Sequence, residues 1–118
     1  KKDKIPDGLL ILQNDTKIAL EAETSYKTRE AWKTVVILYR YDIEEISRYD
    51  AILVIAPDMF NYEGIKAKLY SIDPEFCNRS FILTEVNMLQ QSLCFYQQGV
   101  RPITEALNLL KPKGMENE

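Results

Sequence analysis

A chain of 118 residues with 46% hydrophobic and 28% charged side chains can bury one ordinary core, which excludes a disordered or low-complexity polymer. Its net charge of −3 gives no global pull toward nucleic acid or anionic lipid, so contact with DNA requires a local basic patch. With no histidine, and with Cys77 and Cys94 as widely spaced cysteines, Cys/His zinc centres and Ser-His-Asp or Cys-His catalysis are excluded, and chemistry is left to carboxylates, lysine or a metal.

Residues 5–13 read as a strand whose middle, residues 9–12, is apolar on both faces, as in the centre of a covered sheet. Asn14 and Asp15 supply turn chemistry. Residues 17–23 then alternate, so that Ile18, Leu20 and Ala22 share one face while Ala19, Glu21 and Glu23 share the other. The two runs predict a hairpin. Thr24 and Ser25 offer an N-cap to a helix over residues 26–41, whose sheet-facing stripe is Trp32, Val35, Val36 and Tyr39. Lys27, Arg29, Lys33 and Arg40 fall on this predicted helix, either as a basic patch or as a solvated face.

Residues 51–56, closed by Pro57 and Asp58, have the continuous branched apolar pattern of a buried parallel strand. A second helix follows from about Tyr62, with Tyr62, Ile65, Leu69 and Ile72 facing inward. Residues 80–84 make a fourth strand. Val86, Leu89 and Leu93 suggest a helix ending near Gly99, with an extended stretch over residues 93–96 as the alternative. Pro102 suits the first turn of a final helix carrying Ile103, Ala106, Leu107 and Leu110, and the tail from Lys111 is expected to fray.

The order β-β-α-β-α-β-α predicts a single α/β domain over residues 1–118, a mixed sheet flanked by helices. The apolar runs at 9–12 and 51–56 are far below the roughly 20 residues of a membrane span, and no signal-peptide pattern is present. A soluble, cytoplasmic domain with both cysteines reduced in its core is expected. The opening Lys1-Lys2-Asp3, without an initiator Met, suggests a preceding segment.

The chemistry concentrates in Asp7, Glu21 and Glu23, three carboxylates on two adjacent strands. Glu21 and Glu23 point the same way, about 6.5–7 Å apart by strand rise. Like charges held that close repel unless a cation neutralises them, and Mg²⁺ is typically held by one or two carboxylates with waters and phosphate oxygens. A nearby lysine would serve as well, and the bland reading is a solvated strand end beside a turn. A two-residue turn at Asn14-Asp15 would pair Asp7 with Ala22 and put Asp7 on the wrong face, so a shared site demands an odd-length loop, a bulge or a bend at Pro6. Asp58, Glu63 and Glu85 are assigned to loops and caps. Trp32 and Tyr39 are assigned to the core, although with Tyr41 they could be read as base-stacking platforms. Four glycines make no phosphate loop.

Pro6-Asp7-Gly8-Leu9-Leu10, then residues 18–27 with Glu21-Ala22-Glu23 and Lys27, then a helix ending Leu38-Tyr39-Arg40-Tyr41, resemble the PD-(D/E)XK nuclease-like domain of replication-relaxation proteins from plasmids and conjugative elements. The resemblance is clearest over residues 5–56. It implies a restriction-endonuclease-like core, a winged-helix DNA-binding segment before it, DNA as partner, and Mg²⁺ or Mn²⁺ held by Asp7 and Glu21. In that family a lysine orients the attacking water at the third position, where this chain has Glu23, as some restriction enzymes of the fold do. Lys27 would then supply the missing positive charge. The alternatives are a catalytically silent module that binds DNA or protein, and a homodimerisation domain.

Overall fold

The structure is a computed structural model and describes residues 5–110. The expected fraying from Lys111 lies outside them. Two strands, β1 (Gly8–Ile11) and β2 (Lys17–Ala22), form an antiparallel hairpin. Helix α1 (Arg29–Glu44) then leads to β3 (Ala51–Ala56), parallel to β2. Helices α2 (Met59–Ile72) and α3 (Pro74–Ser80) lead to β4 (Phe81–Glu85), parallel to β3. A short α4 (Val86–Gln90), the hairpin of β5 (Leu93–Tyr96) and β6 (Gly99–Pro102), and α5 (Ile103–Leu109) follow. The fold is α/β, with one mixed six-stranded sheet in the order β1-β2-β3-β4-β5-β6. No helix among the described residues is long and apolar enough to cross a membrane.

Period-two alternation divides the core into two layers. On one face Ala19, Ile52, Val54, Phe81 and Leu83 pack against Trp32, Val35, Val36 and Tyr39 of α1, and against Tyr62, Leu69, Phe76 and Cys77 of the next two helices. On the other face Ile18, Ala51, Leu53, Ile82 and Cys94 meet Ala106 of α5 and Leu110. Strand β3 is apolar on both faces because both are covered. Cys77 and Cys94 are free and buried, and desolvation pushes their thiols up to about 12 and about 11.

Several expectations are corrected. The apolar run at 9–12 is not central: β1 is an edge strand, with Leu9, Leu10 and Ile11 exposed. Helix α1 starts at Arg29 because the Thr28 hydroxyl, rather than Thr24 or Ser25, accepts the Ala31 amide at 3.1 Å. Helix α2 starts three residues before Tyr62, since Asp58 caps it through the Asn61 amide at 2.8 Å. The fourth strand runs one residue later than expected, from Phe81 to Glu85. No helix reaches Gly99. The extended alternative over 93–96 holds, and it pairs with β6 through a two-residue turn in which Gln97 and Gln98 have φ of 52° and 64°. Helix α3 was not anticipated.

Candidate functional site

The parity of the first hairpin decides where Asp7 goes. The loop has three residues, 13–15, and not two. The Leu12 amide donates to the Thr16 carbonyl at 2.9 Å, and Asp15 takes φ 69°, the left-handed conformation that closes such loops. The Asn14 side chain supports the turn by accepting the Thr16 amide at 3.1 Å. Gly8 therefore lies opposite Leu20, and continuing the register by one residue brings Asp7 opposite Glu21. Opposed residues share a face. The ladder itself ends at Gly8, so Asp7 stands just beyond it, at the position whose continued register is Glu21, and not Ala22 as a two-residue turn would have given.

The chain bends at Asp7, as the condition at Pro6 also allowed. The Asp7 amide bonds the Leu20 carbonyl, one residue out of the ladder's register, and its Oδ2 accepts the Ala22 amide at 2.9 Å. The carboxylate so takes over from the strand backbone at the end of the hairpin. Its side chain is exposed, and Oδ1 has no hydrogen bond among the described residues.

Glu21 is buried, and the Tyr39 hydroxyl donates to its Oε2. Tyr39 is fully buried, and its phenol is pushed well above its ordinary value, first by desolvation, then by the Glu21 hydrogen bond and charge, with Asp7 contributing from farther off. Glu23 is also buried. Lys27 Nζ lies 3.4 Å from Glu23 Oε1 and 5.4 Å from the centroid of the Trp32 ring. Lys27 stands before the helix cap and not one turn inside α1, so its side chain reaches back over the end of β2.

The structure therefore sets Asp7 against the end of β2, where its carboxylate holds the Ala22 amide next to Glu21, with Glu23 beyond and Lys27 on Glu23. Among the described residues no three acidic or cysteine side chains group as a cation cage. A two-carboxylate site completed by water and phosphate oxygens fits these residues, because Asp7 offers an exposed oxygen and Glu21 is held in place by Tyr39. The sequence reading missed Tyr39 as a contributor. Its helical spacing places it against the sheet, but nothing in the pattern marks its hydroxyl as the partner of Glu21.

Of the four residues of the expected basic patch, Lys27 lies before α1 and pairs with Glu23, Lys33 is exposed on the helix, and the two arginines are engaged by neighbouring elements. Arg40 is engaged by Asp73 at 2.6 Å and Glu44 at 2.9 Å, Arg79 also binds Glu44, and Arg29 donates to the Ser71 hydroxyl at 3.1 Å. These contacts tie α1 to α2 and α3, and the carboxylates of Glu44 and Asp73 offset the charge of Arg40. Glu85 caps α4 through the amides of Asn87 and Met88, and Glu63 pairs with Lys66 at 3.3 Å. Beyond the ends of β2 and β3, a cleft of about 280 Å³ opens between residues 25–27 and the first turns of α2. No family model, curated protein or solved structure matches this chain, so the site is read from its own residues.

Proposed function

We propose that this chain is a DNA-acting domain with a restriction-endonuclease-like core, akin to the PD-(D/E)XK domain of replication-relaxation proteins, and that it hydrolyses phosphodiesters with Mg²⁺ or Mn²⁺ held by Asp7 and Glu21. The observation that carries the reading is the three-residue turn. It supplies the odd loop without which Asp7 would face away from Glu21.

A divalent cation bound there would neutralise charge on the phosphoryl oxygens and make hydroxide accessible near neutral pH. Asp7 presents an exposed carboxylate at the mouth. Tyr39 fixes the rotamer of Glu21, so the pair is partly preorganised. Glu23, beside them on the same face, is the group that would accept a proton from the attacking water, and Lys27 holds it and contributes the positive charge that a lysine at its own position would have supplied.

A second reading has its own support. Glu21 already accepts from Tyr39 and Glu23 is already neutralised by Lys27, which is how a scaffold satisfies buried carboxylates without a metal. In that case the domain binds DNA or a protein partner without cutting. Incubation of supercoiled plasmid with the protein and Mn²⁺ separates the two. Nicking that disappears in Asp7→Asn and Glu21→Gln supports hydrolysis. Equal nicking by wild type and both variants, or none at all, removes it and leaves the silent module.

A further inference from the structure

We propose that the cleft between residues 25–27 and the first turns of α2 binds one unstacked nucleotide of single-stranded DNA. This rests on the reading of the chain as DNA-acting, and not on hydrolysis. The cleft measures about 280 Å³, close to the lower end of the roughly 300–1,000 Å³ of small-molecule sites, which suits one planar ring and its sugar.

Two aromatic rings stand at its mouth without core partners, Tyr26 at 67% exposure and Phe60 at 84%. Phe60, Gly64 and Lys68 recur every four residues and so line one face of α2. Gly64 leaves the middle of that face without a side chain. Lys68 Nζ lies 4.7 Å from the Tyr26 centroid and Lys27 Nζ 5.4 Å from that of Trp32, so two ammonium groups are held at the rim by cation–π contact. The acid that lines the cleft, Glu63, is drawn to Lys66.

Aromatic faces flanked by cations match a flat base joined to anionic phosphates. Duplex DNA keeps its base faces stacked and must be unpaired to present one, so a single strand inserts a base at lower cost. The cleft also adjoins the carboxylates, since Lys27 both lines it and pairs with Glu23. A strand seated here would pass its backbone toward the end of β2. The overall charge of −3 opposes the strand, so binding is expected to depend on local lysines and to weaken with salt.

The test is fluorescence anisotropy of a labelled oligothymidylate of about ten nucleotides in EDTA at low salt, where no cleavage occurs. Phe60→Ala and Tyr26→Ala should each weaken binding by about five- to 150-fold, the effect of losing one stacked base. Both side chains are exposed, so the melting temperature should stay unchanged. Lys68→Gln should reduce the salt slope by about one phosphate. Strand binding that is undetectable, or undiminished in both aromatic variants, overturns the proposal. So does equal competition by duplex DNA, and equal competition by thymidine monophosphate would assign the cleft to free nucleotides instead. Ring-dependent binding without metal-dependent nicking leaves this site standing and sinks the nuclease reading, whereas the opposite pair of results does the reverse.

Discussion

Replacing Tyr39 by Phe removes one hydroxyl and little else, because the ring keeps its edge-on contacts with Tyr49 and Phe81 at 6.0 and 6.4 Å. The lost bond is a hydroxyl-to-carboxylate hydrogen bond between two buried groups. Such bonds contribute about 1.5–3 kcal/mol. In a chain of this length each kcal/mol moves Tm by about 3–6 °C, so Tyr39→Phe should melt roughly 5–18 °C lower at pH 7. Urea unfolding or calorimetry in EDTA measures this without interference from metal. The pH dependence has a definite sign. A phenol whose folded pKa is raised by burial and by Glu21 stabilises the fold fully below its unfolded value near 10, and that stability is lost as the pH climbs toward the folded value. The gap between wild type and variant should therefore hold from pH 6 to 9 and shrink above about 10. A variant within 0.5 kcal/mol of wild type, where about 1.5 is the least expected, or a gap that widens in alkali, would refute the role given to this bond.

Three further outcomes follow from the same packing. Deleting Leu10 from the exposed edge strand, with the three-residue loop kept, should draw Asp7 one position along the ladder toward Leu20 and off the Glu21 face, and abolish any metal-induced rise in Tm while the far-ultraviolet circular dichroism is retained; a metal response that survives the deletion contradicts the register argument. Gln97→Asn combined with Gln98→Gly puts preferred residues at φ of 52° and 64° and should add about 1 kcal/mol of stability by denaturant unfolding. Cys77 and Cys94 are raised from 9.0 to about 12 and about 11 by burial, so stability should fall above pH 9 by about 1.4 kcal/mol per pH unit for each thiol, and Cys77→Ala should flatten that slope.

How far the fold could be read in advance depended on whether a residue's role was local. The alternation of β2, the Trp32-Val35-Val36-Tyr39 stripe and the apolar run of β3 are periodic signals, and each element stands where its period puts it. Failures came where long-range pairing decides. Leu9 to Ile11 look buried by composition, yet nothing in a four-residue run says whether a second neighbour exists, and β1 lies at the edge. The β5–β6 hairpin was hidden because Gln97-Gln98 lacks the Asn-Gly chemistry of a tight turn, so the apolar Leu93 could be read as the end of a helix. Helix α3 has only seven residues, too few to show a period.

The site was legible to the same degree. Glu21 and Glu23 share a face by alternation alone. The position of Asp7 hinged on whether Gln13 joined the turn, a one-residue matter that composition does not settle. Lys27 was expected within the helix. The Thr28 cap instead leaves it in the preceding loop, where its pairing with Glu23 depends on the path of the backbone. The spacing of Phe60, Gly64 and Lys68 was available as a signal, but its meaning emerges only once the loop carrying Tyr26 folds over it.

The proposed chemistry requires that Asp7 and Glu21 bind one cation together at the end of the hairpin. Paramagnetic broadening of backbone amide signals by substoichiometric Mn²⁺ tests it most directly. Broadening should centre on Asp7, Gly8, Glu21 and Ala22 and vanish in Asp7→Asn. Broadening that instead gathers around Asp58 and Glu63, or is unchanged in the variant, or fails to appear at millimolar Mn²⁺, contradicts the pairing.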